Sequence, residues 1–200
     1  MKKINLAVVG ATGMVGRTLL KVLEERNFPY ENLYLFASAK STGEKLFCKD
    51  IEYTVEELTD TSFDRDIDIA LFSAGGSISK KFAPIAISKG TIVIDNSSEW
   101  RMEKNVPLIV PEVNPEDIDW HSGIIANPNC STIQAVVAMK PLHDAFKIKR
   151  IIYSTYQAVS GTGVKGVLDL EAGIKGNDTM LAYPHPIANN CLPHIDVFLE

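Results

Sequence analysis

The first twenty-five residues restrict the fold more than any other stretch. Ile4-Asn5-Leu6-Ala7-Val8-Val9 is a short apolar run of the kind that forms a buried parallel strand. Gly10-Ala11-Thr12-Gly13-Met14-Val15-Gly16 follows without a break, and from Arg17 to Glu25 the residues Leu19, Leu20 and Leu23 recur at helical spacing. Strand, glycine turn and helix in direct succession is the setting of a dinucleotide-binding loop. The glycines permit a tight turn and let the backbone approach a pyrophosphate, whose charge meets the helix N-terminus. The spacing is G-x-x-G-x-x-G rather than the commoner G-x-G-x-x-G, and an ordinary strand-to-helix turn would use glycines in the same way.

The pattern then repeats. Leu33 to Ala37 reads as a second strand, and an NAD-preferring site usually places a carboxylate at its end, on the ribose hydroxyls. Here the strand runs into Ser38-Ala39-Lys40-Ser41-Thr42-Gly43, with no carboxylate before Glu44. One cation among hydroxyls suits a 2′-phosphate, which argues for NADP. Cys48 to Thr61 is polar and reads as short edge strands or a loop. Ile67 to Ser73 is a further buried strand, followed by Gly75-Gly76 and a helix to about Ser88, with Ser77 or Ser79 as possible caps and Pro84 near its first turns. Thr91 to Asp95, Leu108 to Val110 and Gly123 to Ala126 continue the sheet. Strands alternating with helices predict an α/β, Rossmann-like doubly wound parallel sheet spanning 1–127.

Asn127-Pro128-Asn129-Cys130-Ser131-Thr132 joins the last of these strands to an apolar helical stretch, which Pro141 is expected to end. Cys130 would lie at that helix's N-terminus, where unpaired N–H groups and the helix dipole favour a thiolate. Asn129, Ser131 or Thr132 would cap the turn. A thiolate beside N–H donors suits acyl transfer, because it attacks a carbonyl while the donors hold the oxyanion. A small buried hydrophobe at a cap would read the same way.

A second domain is expected over 128–200. Lys149 to Val159 shows partial alternation, as in one face of a more antiparallel sheet, and Val167 to Ile174 reads as a short helix. Ile195 to Glu200 looks like part of a structured segment that is not finished, so this second, α+β domain reads as begun rather than complete. Cys48, Cys130 and Cys191 are odd in number and widely spaced. They form neither a metal pair nor a disulfide framework, and a reducing cytoplasm is the simplest compartment. The net charge of −5 gives no reason to expect nucleic acid or an anionic membrane surface as partner. No apolar run reaches membrane-spanning length, and the one after Lys2-Lys3 reads as a first strand rather than a leader.

Together these stretches resemble the aspartate-β-semialdehyde dehydrogenases. The matching segments are Val8 to Gly16, Ala70-Leu71-Phe72-Ser73-Ala74-Gly75, Val110-Pro111-Glu112-Val113-Asn114, Asn127 to Thr132, and Ser154-Thr155-Tyr156-Gln157-Ala158-Val159-Ser160-Gly161. The resemblance implies NADP-dependent reductive dephosphorylation of L-aspartyl 4-phosphate to L-aspartate 4-semialdehyde. That step leads to lysine (through diaminopimelate), threonine and methionine. It implies Cys130 as the nucleophile that forms a thioester, and Gln157 as the residue orienting the substrate or its thioester. Arg101 matches the phosphate-binding arginine. Gly10, Thr12, Gly13, Met14 and Val15 match the pyrophosphate loop, and Ser160 and Gly161 the nicotinamide side. Lys40-Ser41 stands where many members carry Arg-Ser on the 2′-phosphate; lysine keeps the charge but not the planar fork. No metal is implied, and the family is commonly a homodimer through its second domain.

The family's general base is a histidine well downstream of position 200. His121, His143, His185 and His194 are read as loop or surface residues. The expectation is therefore an N-terminal fragment with the cofactor site and the nucleophile but not the base. General acid–base catalysis contributes about 10²–10⁴-fold, so turnover by such a fragment is expected to fall greatly. Two rival readings are N-acetyl-γ-glutamyl-phosphate reductase, which runs the same chemistry on a longer acylated substrate, and a non-catalytic NADP-binding module.

Overall fold

A computed structural model describes residues 4–193. The chain divides into two compact units between Ile151 and Ile152. The first is built on a seven-stranded sheet of order β3-β4-β2-β1-β5-β6-β7. Its strands are β1 (Ile4–Val9), β2 (Tyr30–Ala37), β3 (Lys45–Cys48), β4 (Ile51–Glu57), β5 (Ile69–Phe72), β6 (Ile92–Asp95) and β7 (Ile124–Ala126). All pairings are parallel except β3 with β4.

β1 lies at the centre, and its side chains alternate between two cores. Leu6 and Val8 pack with Leu33 and Leu35 of β2 and with Leu20 and Leu23 of helix α1 (Met14–Glu25). Ala7 and Val9 point the other way, to Phe36, Phe63 and Phe72 and to Phe82, Ala83 and Ala86 of helix α2 (Gly76–Ser88). Phe63 is the hub of this second core, with ring centroids 5.9 Å from Phe36 and 6.1 Å from Phe72. One helix on each face and a chain that leaves β1 first to one side and then to the other give the expected doubly wound sheet.

Several local expectations are decided or corrected. Of the two readings of Cys48–Thr61, strands form rather than a loop, and β4 lies one place in from the sheet edge, paired with β2 through Leu35 and Val55. Its polar residues face solvent while Val55 is fully buried. Leu108 makes a single bridge to Ala126. The Val110 N–H then donates to Asn114 Oδ1 at 2.9 Å, which ends the pairing after one step. Neither Ser77 nor Ser79 caps α2, whose N-cap is Gly75. Ser79 is instead buried, and its Oγ accepts from Trp100 Nε1 at 2.8 Å.

Pro84 and Pro141 both lie inside helices. Helix α3 (Cys130–Phe146) passes through Pro141 to a left-handed cap at Lys147. Both prolines are exposed, so the carbonyls they deprive of a donor can turn to water. Residues 150–158 form no strand, since no extended segment of the second unit's described residues pairs with them. That unit contains a 3₁₀ turn (Val159–Thr162) and helix α4 (Val164–Ile174). The segment 195–200 and His194 lie outside the described residues.

Candidate active site

Parallel sheets of this winding bind ligands beyond the carboxyl ends of their strands, where the winding reverses. In the first unit every candidate residue falls there. The glycine loop follows β1, Lys40 and Ser41 follow β2, Arg101 follows β6, and Cys130 follows β7.

The glycine loop is shaped by close backbone packing. Gly10 takes φ +85°, and a Cβ there would come within 2.8 Å of the Ser73 carbonyl carbon. A Cβ at Gly16 would come within 2.7 Å of Ala11 Cα. The Gly10 and Ala11 N–H groups donate to Phe36 O at 2.8 and 3.1 Å, which fixes the loop against β2. Gly13 is the N-cap of α1, and no side chain caps that helix. Its first-turn N–H groups, over Met14 and Val15, therefore point out as a place for a phosphate.

Lys40 and Ser41 lie in a 3₁₀ turn (Ala39–Ser41). Thr12 Oγ1 donates to Ser41 Oγ at 3.3 Å, joining this turn to the glycine loop. Arg17 donates from Nε to Thr12 O at 3.1 Å and pairs through Nη2 with the Glu44 carboxylate. The residues fit a dinucleotide: a cradle that a Cβ would fill, an uncapped helix end, and a lysine-bearing turn whose nearby carboxylate is already paired.

Cys130 is the first residue of α3 and is exposed. Of the three candidate caps it is Asn129 that acts. Its Oδ1 accepts from the N–H of Ser131 at 3.0 Å and of Thr132 at 3.3 Å, and from Ser131 Oγ at 2.8 Å. The cap leaves the cysteine side chain free at the helix end. Arg101 is half-buried and reaches back to the chain leading to Cys130. Its Nε donates to Asn127 O at 2.9 Å and its Nη2 to Asn96 O at 3.1 Å. Asn127 Nδ2 donates to Asn96 Oδ1 at 2.6 Å. Nothing in the sequence assigns Asn96 or Asn127 this role, since an asparagine before serine or proline reads as a turn residue.

In the second unit Gln157 is exposed and lines an open depression of about 630 Å³ with Leu170, Ile187 and Cys191. Ser160 and Gly161 lie in the 3₁₀ turn. Thr162 Oγ1 of that turn meets the Tyr183 hydroxyl at 2.7 Å. Tyr183 belongs to a segment gathered around Asp169, which is 2% exposed. Its carboxylate accepts from Thr179 Oγ1 (2.7 Å) and from the N–H groups of Leu181 (2.8 Å), Ala182 (2.8 Å) and Tyr183 (3.4 Å). Burial by itself would raise the Asp169 pKa, but these hydrogen bonds outweigh it and hold the carboxyl below its usual range. An aspartate in a helical run gives no signal of this role in the sequence.

His121 accepts from the Gly123 N–H at 3.0 Å, while His143 and His185 are exposed. Among the described residues no three acidic, histidine or cysteine side chains gather as a metal site, and no helix is long and apolar enough to cross a membrane.

Comparison with known proteins adds the family. The NAD-binding domain of the semialdehyde dehydrogenases matches residues 5–121, and their dimerisation domain matches residues 139–200. The chain is 59% identical over 204 residues to the aspartate-semialdehyde dehydrogenase of Aquifex aeolicus, covering 98% of this chain and 60% of that protein. The structure of aspartate-semialdehyde dehydrogenase II from Vibrio cholerae, solved with ASA, superposes with a TM-score of 0.93 at 44% identity, over 100% of this chain and 61% of that one. The Candida albicans enzyme, solved with NADP, gives a TM-score of 0.64 at 28% identity, over 74% of this chain and 48% of that one. The chain thus spans about 60% of the length of the curated relatives it matches.

Proposed function

Because its nucleotide-binding domain matches across residues 5–121, the chain belongs to the semialdehyde dehydrogenase family, and on that premise we propose that it serves the NADP-dependent interconversion of L-aspartyl 4-phosphate and L-aspartate 4-semialdehyde. The observation that carries this reading is the placement of Cys130. Its thiol is exposed on the first residue of α3, at the carboxyl edge of the sheet that bears the nucleotide loop.

In the biosynthetic direction the Cys130 sulfur attacks the acyl carbon of aspartyl phosphate. The C–O bond to phosphate breaks, inorganic phosphate leaves, and a thioester remains on Cys130. Arg101 is held by the Asn96 and Asn127 carbonyls on the approach to Cys130, and its remaining N–H donors are assigned to phosphate. Gln157, whose amide can both donate and accept, orients the acyl group. NADPH, when bound, would supply the hydride that reduces the acyl carbon, and the C–S bond then breaks to release the aldehyde and return Cys130 as the thiolate. Thr12, Gly13, Met14 and Val15 would hold its pyrophosphate, Lys40 and Ser41 its 2′-phosphate, and Ser160 and Gly161 its nicotinamide side. By function the nucleotide domain is assigned to 1–127 and the catalytic and dimerisation domain to 128 onward, although α3 belongs to the compact unit that runs to Ile151, and a homodimer is assigned as the assembly. Three free thiols fit a reducing cytoplasm.

The test is NADP reduction on mixing with L-aspartate 4-semialdehyde and phosphate, followed from the first turnover. NADPH formation that depends on Cys130 and is lost in Cys130→Ser supports the reading. Reduction undiminished in Cys130→Ser, or a preference for N-acetyl-glutamate 5-semialdehyde, would overturn it.

A further inference from the structure

The ion pair between Arg17 and Glu44 belongs to no role assigned so far. Arg17 stands near the start of α1, just behind the loop over which the pyrophosphate would lie. Glu44 is folded back onto the 3₁₀ turn that carries Lys40, since its N–H donates to Ser41 O at 3.1 Å. Arg17 spans the two loops, with Nε on Thr12 O at 3.1 Å and Nη2 on the Glu44 carboxylate. Thr12 closes the strap from the other side through Ser41 Oγ.

An ion pair this exposed, with the Arg17 and Glu44 side chains 51% and 37% accessible, adds little to stability. Its effect is on the local field. A free carboxylate at Glu44, one turn from Lys40-Ser41, would oppose a phosphate dianion on that turn. It would also accept from a ribose hydroxyl, as the acidic residue of NAD sites does. Paired with Arg17 it does neither.

We propose that Arg17 and Glu44 act together as a specificity pair for the cofactor's 2′-phosphate. Arg17 neutralises the one carboxylate on that loop and ties the loop to the pyrophosphate turn through Thr12. The inference rests on the assignment of Lys40 and Ser41 to a 2′-phosphate.

The experiment measures, by calorimetry, binding of 2′,5′-ADP and of 5′-ADP to the unaltered chain and to Arg17→Met, Glu44→Gln and the double variant. The unaltered chain is expected to prefer 2′,5′-ADP. Arg17→Met is expected to weaken 2′,5′-ADP roughly three- to tenfold by exposing it to the Glu44 charge. Its 5′-ADP binding should hold or tighten, since the freed Glu44 carboxylate can accept from the ribose 2′-hydroxyl, and retained binding also shows that the variant is folded. Adding Glu44→Gln should restore most of the loss, and high salt should shrink it by screening. If Arg17→Met weakens both nucleotides equally, or Glu44→Gln rescues nothing, the pair has no part in specificity. If the unaltered chain does not distinguish the two nucleotides, the 2′-phosphate assignment itself fails and the pair's role goes with it.

Discussion

The glycine loop of the first unit and the Ser160-Gly161 turn of the second are both short backbone reversals, and they are held in place differently. The first sits on a parallel sheet with two apolar cores, and its shape is fixed where Gly10 and Gly16 bring backbone against backbone. The second is tied by the Thr162 and Tyr183 hydroxyls to a segment that a buried carboxylate gathers. Packing of the first kind carries no charge and does not titrate. A carboxylate that collects N–H donors does, so the two loops differ in what disturbs them.

The sharpest way to break this comparison is at Gly10. An alanine there meets both a positive φ and the Ser73 backbone, and is expected to cost about 3 kcal/mol or more. A urea titration should show a lowered midpoint for the first unit together with lost nucleotide binding. An unchanged midpoint would mean that the loop is not fixed by close packing. The matching change in the second unit is Asp169→Asn, which places an amide N–H against donors that need an acceptor. Hydrogen exchange at Leu181, Ala182 and Tyr183 should quicken, with the first unit unaffected.

Acid should separate the loops without any mutation. The Asp169 pKa is lower in the folded chain than unfolded, so its stabilisation is complete above the unfolded value of about 3.9. It is lost as pH falls through the lower, folded value. Protection of residues 181–183 should therefore decline in that window, and the decline should be absent in Asp169→Asn. Protection lost equally in that variant would assign the acid step elsewhere. The smallest effect is expected at the Asn129 cap, where alanine should cost about 1 kcal/mol. It should appear as faster exchange at the Ser131 and Thr132 amides, with the sheet unchanged.

How well each region could be read from its residues follows the same division. β1, the glycine loop and α1 follow from periodicity because each side chain faces one of two cores, so the apolar pattern and the fold are the same fact. β4 does alternate Ile51, Tyr53 and Val55 with polar residues, but the run is short, three glutamates share it and only Val55 is fully buried, so the period-2 signal is easily passed over as a loop. Pro141 misleads in the other direction. On an exposed helix face a proline removes one hydrogen bond without ending the helix. Cys130 and its Asn129 cap were visible because a cap needs only adjacent residues. The Arg101 contacts to Asn96 and Asn127, the Arg17–Glu44 pair and the Asp169 clamp were not. They join positions whose proximity exists only once the sheet has formed, or once the chain has turned back on α4.

The central position of β1 also sets an order of events. Its partner β2 follows after a single helix, but its other partner is β5, and joining Val9 to Phe72 closes a loop of more than sixty residues. During synthesis the chain can pair β1 with β2 while the other edge of β1 is still bare. That edge carries the whole second half of the sheet, and it stays open to pairing with another chain until β5 is made. The strand that positions the nucleotide loop is thus the first to be made, yet more than sixty residues must follow it before both its edges are paired.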